Sequence, residues 1–361
     1  MKNYRFLVAL MFVSLLLAGF FGFSSNAQQP IDQSQRPVDY KQRERLASPE
    51  IKQRLGAIRQ EIKDKQLTFE VGYTTAMDES LDKLAGTKPP ANLEEQAKRQ
   101  NEIASKVLGI DLEARELYRK THPRLPELLL SCAATATAFD WRSMGKVTPI
   151  KNQDGCGSCW AFATEGAFEG SWAIRNGALI DTSEQDILSC SGSGTCSGGW
   201  WAFGRLISNG VATEASYPYT ATNSACNTTV ARPYRAVAWG YVTTGSGIPT
   251  VVQTKQALCA HGPLAVAVAA TSAFQAYTTG VFNQTTTAGV NHGVTLIGWD
   301  DTKNAWLIKN SWGPGWGMAG YMWIKYNSNK ITYGAAWVQA KNTFYPVPYD
   351  FDKYRDPILV P

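Results

Sequence analysis

Residues 153–162 read QDGCGSCWAF. Two cysteines three apart are followed at once by aromatic and apolar residues. Such a pair serves three chemistries: a zinc site, a redox dithiol, or one bridge cysteine beside one nucleophile. Zinc needs about four ligands, and the chain has three histidines and no second CxxC. A redox pair belongs after a strand in a βαβ unit, whereas KVTPIKNQDG before it reads as a loop. The split reading puts Cys156 in a bridge and leaves Cys159 free at the start of a helix over 158–176. Ser158 is the expected N-cap, with Trp160, Ala163, Ala167 and Trp172 on the apolar face. Helix N-termini lower a thiol pKa, because backbone N–H groups and the dipole favour the thiolate.

A nucleophilic thiol needs a base. His122 sits in a charged region. His261 reads as a turn or surface residue before a strand. His292, in GVNHGVTLIGW, opens an apolar strand and is the best placed of the three. In NAWLIKNSWGPGWG, Asn310 ends a buried strand ahead of Trp312. An amide can hold an imidazole in one tautomer, and an indole can keep water from that bond.

Around this centre the composition divides. Residues 28–131 hold no Cys and no Trp and are rich in charge, with a helical stretch in which Ile103, Val107, Ile110 and Leu112 recur at helical spacing. From Phe139 on come all 12 Trp. The strands expected there are GPLAVAVAA, GVTLIGWD, NAWLIKN and GYMWIKY. A helical half followed by a β half implies two lobes around a cleft. The net charge of +5, with both signs mixed, gives no case for nucleic acid. Lys2 and Arg5, an apolar run, and small residues at Ser25 and Ala27 read as a secretory signal over 1–27. No stable membrane anchor is expected, and disulfides should persist in the oxidising compartment. Seven cysteines leave at least one thiol unpaired or intermolecular.

These motifs resemble the papain family of cysteine proteases over about residues 137–347. QDGCGSCWAF, VNHGVTLIGW, IKNSWGPGWGMAGY, TCSGGWW and FDWR are similar to its nucleophile, histidine, asparagine, substrate-loop and mature-start motifs. The resemblance implies an α+β, papain-like two-lobed fold. It has a helical left lobe (about 152–235) and a β-barrel-like right lobe (about 236–345, with the 137–151 arm), and an interlobe active-site cleft. The peptidase domain spans 132–347, preceded by a helical inhibitory propeptide over 28–131 and followed by an extension over 348–361.

By the same resemblance Cys159 is the nucleophile, His292 the base and Asn310 the orienting residue, and Gln153 completes an oxyanion hole. Gly157, Gly198, Gly199, Trp200, Trp201, Ala267, Asn291, Gly293 and Trp312 fall at substrate-binding positions. The pocket floor falls at Lys341 or Asn342, and a lysine there would favour an acidic residue. Cys156–Cys196 and Cys190–Cys226 match family bridges. Thr286 and Ala336 take the two positions of a third, missing one. Cys132 either pairs with Cys259 or leaves with the propeptide. Asp154 stands where the family usually has Gly.

The implied activity is that of a secreted endopeptidase made as a zymogen. It would act as a monomer on peptide or protein substrates, with its own propeptide as inhibitor, and with no cofactor or metal. Residence could be extracellular, periplasmic or, in a eukaryote, lysosomal or vacuolar. Propeptide cleavage is expected between residues 125 and 138. Two other classes remain: a catalytically silent relative used for binding, and an exopeptidase whose cleft is blocked at one end by a retained segment. Asn227 and Asn283 lie in N-x-T sequons, which matter only in a eukaryotic secretory route.

Overall fold

A computed structural model describes residues 38–122, 132–244 and 247–344. The expected signal segment, residues 125–131 of the expected cleavage region and the 348–361 extension lie outside those residues.

The N-terminal segment forms α1 (Tyr40–Leu46), α2 (Pro49–Asp64), β1 (Phe69–Val71), α3 (Leu81–Leu84) and α4 (Leu93–Thr121). Asp39 caps α1 by accepting from the Gln42 N–H, and Ser48 caps α2 by accepting from Ile51. Pro49 follows Ser48 at the start of α2, where its missing N–H costs nothing.

The body continues with β2 (Ala138–Asp140), α5 (Cys159–Asn176), α6 (Glu184–Cys190), β3 (Gly194–Thr195), β4 (Gly198–Gly199) and α7 (Phe203–Ser208). Then come β5 (Ala236–Tyr241), α8 (Val251–His261), β6 (Leu264–Val268), α9 (Ser272–Gln275), β7 (Tyr277–Phe282), β8 (His292–Asp300), β9 (Ala305–Lys309), β10 (Tyr321–Lys325) and β11 (Tyr333–Ala340).

The large sheet runs β1-β7-β10-β9-β8-β6-β11-β5, with β2 added on β8. Its path is open: β1 and β5 stand at the two ends, so the described strands do not close the expected barrel-like lobe into a ring. The continuous apolar runs at 264–268, 292–300 and 305–309 are wholly buried strands. That burial explains why they lack polar alternation.

Helix α5 is the spine of the molecule. Its face toward the sheet carries Gly166 and Gly170, one turn apart. A Cβ at Gly166 would lie 2.3 Å from Thr295 Oγ1, and one at Gly170 would lie 2.4 Å from Pro263. Only glycine lets β8 and the start of β6 approach that closely. Gly177, at φ 80°, then ends the helix in the left-handed conformation. Each lobe has its own aromatic core. Trp160, Phe168, Trp172 and Phe203 fill the helical side. Trp141, Trp299, Trp306 and Trp316 fill the sheet side. The cleft lies where the two cores meet over the N-terminus of α5.

The N-terminal segment, though rich in charge, packs against the body. β1 adds antiparallel to β7, and Phe69 packs 4.5 Å from Phe282. In α4 the buried positions are Leu93, Ala97, Gln100, Ala104, Val107, Asp111 and Ala114. They alternate four and three apart, a straight stripe along one face. The expected apolar face is only partly used: Val107 is buried, Ile103 and Ile110 are half-buried, and Leu112 is 56% exposed. Five of the seven buried positions are Ala, Gln or Asp, and α4 lies along the edge strand β5.

Candidate active site

Six of the seven cysteines form Cys132–Cys259, Cys156–Cys196 and Cys190–Cys226, and Cys159 is free and buried. The opening pair therefore divides into one bridge and one thiol. Ser158 precedes α5 without capping it; its hydroxyl meets the Tyr219 hydroxyl at 2.6 Å.

His292 is the first residue of β8. Its Nε2–H donates to Asn310 Oδ1 at 2.7 Å, and the Ser311 N–H donates to the same oxygen at 2.8 Å. The Trp312 ring lies 4.4 Å from the imidazole, tilted 33°, and is buried over that bond. The imidazole acts on the thiol first through its charge and then through a hydrogen bond. Burial pushes the Cys159 thiol up. The His292 charge, with hydrogen bonds from His292, Thr87 and the Gly293 backbone, outweighs burial and brings it from the ordinary 9.0 to about 7.

The other two histidines are elsewhere. His122 is exposed at the end of α4, stacked on Tyr118. His261 is not a free surface residue as expected. It ends α8 stacked on Trp337 at 3.9 Å, and burial and then Arg175 hold it down at about 4.

Gln153 is buried in the loop before α5. Its Nε2 donates to Leu84 O at 2.9 Å and Cys156 O at 2.8 Å. Its Oε1 accepts from the Ser311 hydroxyl at 2.7 Å. Ser311 thus sets which end of the amide faces the cleft. The sequence did not single it out, because nothing local says that residue 311 faces residue 153. Asp154 takes φ 48°, a left-handed conformation that Asp tolerates, so the loop keeps its path without the usual Gly.

The cleft holds residues 84–88 of the chain. Gly86 N–H donates to Cys159 Sγ at 3.3 Å, and Thr87 Oγ1 lies 3.1 Å from it. Gly199 N–H donates to Gly86 O and its C=O accepts from Lys88 N–H, both at 2.8 Å, a parallel bridge centred on Thr87. Thr87 N–H donates to Asn291 O at 2.8 Å. The Asn291 side chain turns away to bond both backbone groups of Ala270. Gly157 gives its N–H to Cys196 O at 2.9 Å, and Lys88 lies over Gly198.

Trp200 and Trp201 stack at 4.4 Å. Trp201 Nε1 donates to Gly334 O, and a Cβ on Gly334 would lie 2.6 Å from Trp200. Gly293 lies against Trp201, and Ala267 pairs with both Gly293 and Tyr333. The pocket behind Gly199 therefore closes at Gly334. The expected floor at Lys341 or Asn342 is wrong. Lys341 O accepts from Asn176 and Asn342 donates to Arg175 O, at the far end of α5. Ala336 is likewise mid-strand opposite Ala265 and Tyr241, while it is Lys330 that reaches the 286–287 loop, at Thr287 O. The chain between β10 and β11 turns through Asn327, Asn329, Lys330 and Thr332, all at positive φ. Lys341 therefore does not floor that pocket, and the acidic preference it implied falls with it.

A model of the papain family of cysteine proteases matches residues 135–341, more than half of the chain. The chain belongs to that family. Among curated relatives, digestive cysteine proteinase 2 of Homarus americanus is 40% identical over 205 residues, 54% of this chain and 62% of its own length. The aligned part is thus less than two thirds of that relative. Among solved structures, the bromelain protease of Ananas comosus in complex with the E64 inhibitor superposes with TM-score 0.52 at 35% identity. It covers 56% of this chain and 99% of its own. Digestive procathepsin L 3 of the Tenebrio molitor larval midgut gives TM-score 0.61 at 26% identity, covering 84% of this chain and 95% of its own. The wider match takes in much of the region before residue 135.

Proposed function

We propose that the chain is the precursor of a secreted thiol endopeptidase, with residues 28–131 as its inhibitory propeptide. One observation carries the reading. The lowered Cys159 thiol lies beside the His292 charge, while the Gln153 amide already holds a carbonyl oxygen, that of Leu84.

The chemistry follows from those groups. The Cys159 thiolate attacks the carbonyl carbon of a peptide bond. Negative charge moves to the carbonyl oxygen, where Gln153 Nε2–H is a preorganised donor. Protonated His292 gives its proton to the leaving amine as the C–N bond breaks, leaving a thioester. His292 then takes a proton from water, which attacks the thioester and frees the acid and the thiolate. Asn310 keeps the imidazole in the orientation that both transfers need, and Trp312 keeps water off that bond.

The precursor is silent for a geometric reason. Residues 84–88 run parallel along Gly199, and they present the sulfur with the Gly86 N–H and the Thr87 hydroxyl, not with a carbonyl carbon. The signal segment over 1–27 supports secretion, which N-terminal sequencing of exported protein checks.

The deciding experiment is the alkylation rate of Cys159 against pH in the processed chain, read by mass spectrometry. The rate should rise through a pH near 7, and His292→Ala should move that rise to the ordinary thiol range or above. A wild-type thiol that titrates like an ordinary cysteine would leave a papain-shaped binding protein instead.

A further inference from the structure

Beyond Lys88 the chain leaves the cleft through Pro89 and Pro90, and α4 then lies along β5. That strand ends the sheet, paired with β11 on one side only. On its open side three backbone groups are met by side chains of α4. Gln100 Nε2 donates to Trp239 O at 2.7 Å. Asn101 Oδ1 accepts from Tyr241 N–H at 2.7 Å, and Asn101 Nδ2 donates to Tyr241 O at 3.0 Å. A carboxamide is a peptide group without a chain. Asn101 therefore makes the pair of bonds that a residue of an added strand would make.

The strand itself has no defence of its own. Its sequence, AVAWGY, carries no charge and no proline, the devices that normally keep an open edge from pairing. Beside it, a cavity of about 650 Å³ separates α4, at Glu95 and Arg99, from Trp200, Trp239 and Tyr241 of the body. Release of α4 would turn this cavity into an open aromatic shelf.

The shelf is continuous with the cleft. Trp200 follows Gly199, the residue that pairs the cleft strand, and its Nε1 donates to the Tyr241 hydroxyl at 2.9 Å. The chain itself passes from Gly199 at Lys88 to Tyr241 at Asn101. Helical rise from residue 93 to residue 101 is about 12 Å. The residues before it add at most about 18 Å. An extended peptide of about nine residues therefore covers the span.

We propose that the β5 edge is a strand-addition site for extended polypeptide substrate upstream of the scissile bond, kept covered by α4 until the precursor is processed. The proposal rests on the protease reading above. Its occupant is a peptide backbone, held by Trp239 O and both Tyr241 groups, with side chains lying on the indole shelf.

The test uses three peptides with one cleaved core. The first is the core alone. The second carries about ten more residues of β-forming sequence on the N-terminal side. The third is the second with alternate extension amides N-methylated. On the processed chain, the extended peptide should show a KM about tenfold below the core at equal kcat, because these contacts act equally in ground and transition states. The N-methylated peptide should return to the core value. Equal KM for all three overturns the proposal.

Hydrogen exchange at the Tyr241 amide gives an independent reading. That amide should be protected in the precursor, exchange in the processed chain, and be protected again by the N-terminal product of the extended peptide but not by that of the core. Protection in the processed chain alone, at a dimer mass in sedimentation, assigns the edge to a second copy and also overturns the proposal. If no peptide is cleaved, the protease reading fails, and the exchange experiment still decides the edge.

Discussion

At the scale of single residues, the site depends on amides as much as on the thiol. Gln153 is held by the Ser311 hydroxyl on one side and offers its Nε2 to the cleft on the other. Gln153→Ala removes a donor that matters most once the oxyanion forms. We expect kcat to fall by about 10²-fold with KM little changed, measured by steady-state kinetics on processed enzyme. A raised KM with kcat unchanged would make Gln153 a ground-state binder instead. Ser311→Ala should cost less, since the amide remains and only its orientation loosens.

At the scale of elements, two features make separate predictions. The first is the cleft segment at Gly86, where an added Cβ would lie 1.8 Å from Gly157 O. Neither backbone can give way there. Gly86→Ala should therefore weaken cleft occupancy by about 1–3 kcal/mol, seen as faster active-site labelling of the unprocessed chain. A labelling rate equal to wild type would mean that this segment does not limit access.

The second is the buried cluster under α5 and α6. Lys151 Nζ meets Glu169 at 3.0 Å and Asp181 and Glu184 at 2.8 Å. Burial opposes the Lys151 charge, yet the three carboxylates hold it well above its usual range. Glu169 stays low despite burial, through Lys151 and Lys309. Glu184 goes the other way, to about 7, because burial and the Glu169 charge outweigh its share of Lys151. A carboxyl raised in the folded state favours folding below its ordinary 4.5, and that contribution is lost as pH rises through about 7. Melting temperature should therefore fall between pH 4.5 and 7, and Glu184→Gln should flatten that fall by about 3 °C or more. Parallel melting curves for the two proteins would remove Glu184 from the account.

At the scale of the whole molecule, Cys132–Cys259 ties the arm before β2 to α8 across 127 residues of sequence. Closing so long a loop restricts the unfolded chain far more than the folded one. The double replacement Cys132→Ser with Cys259→Ser should lower unfolding free energy by about 2–4 kcal/mol, read by denaturant unfolding of processed enzyme. The other two bridges, Cys156–Cys196 and Cys190–Cys226, should persist, since both lie within the helical lobe.

Much of the site was legible because its residues sit in short motifs with their own backbone geometry. Cys159 opens a helix, His292 opens a buried strand and Asn310 follows the next one, and each position shows in the apolar pattern beside it. His292 acts on the Cys159 sulfur and Asn310 holds His292, while Gln153 reaches the cleft segment at Leu84 O. The apolar runs likewise marked β6, β8 and β9, which are buried on both faces, and β10, which alternates between buried and partly exposed positions.

What remained hidden depends on which distant surfaces meet. Gly334 meets Trp201 across 133 residues of sequence, and Trp200 beside it, a contact that only the folded chain makes. Ser311 faces Gln153, and α4 shields the edge of β5, only in the folded chain. The sequence by itself determined the reactive groups, their order and the strands of the core. Tertiary structure alone decided the pocket floor, the cover on β5 and the partner of Cys132. The reason is physical: a motif's backbone geometry is set within a few residues, whereas register and docking are set by burial summed over the whole surface.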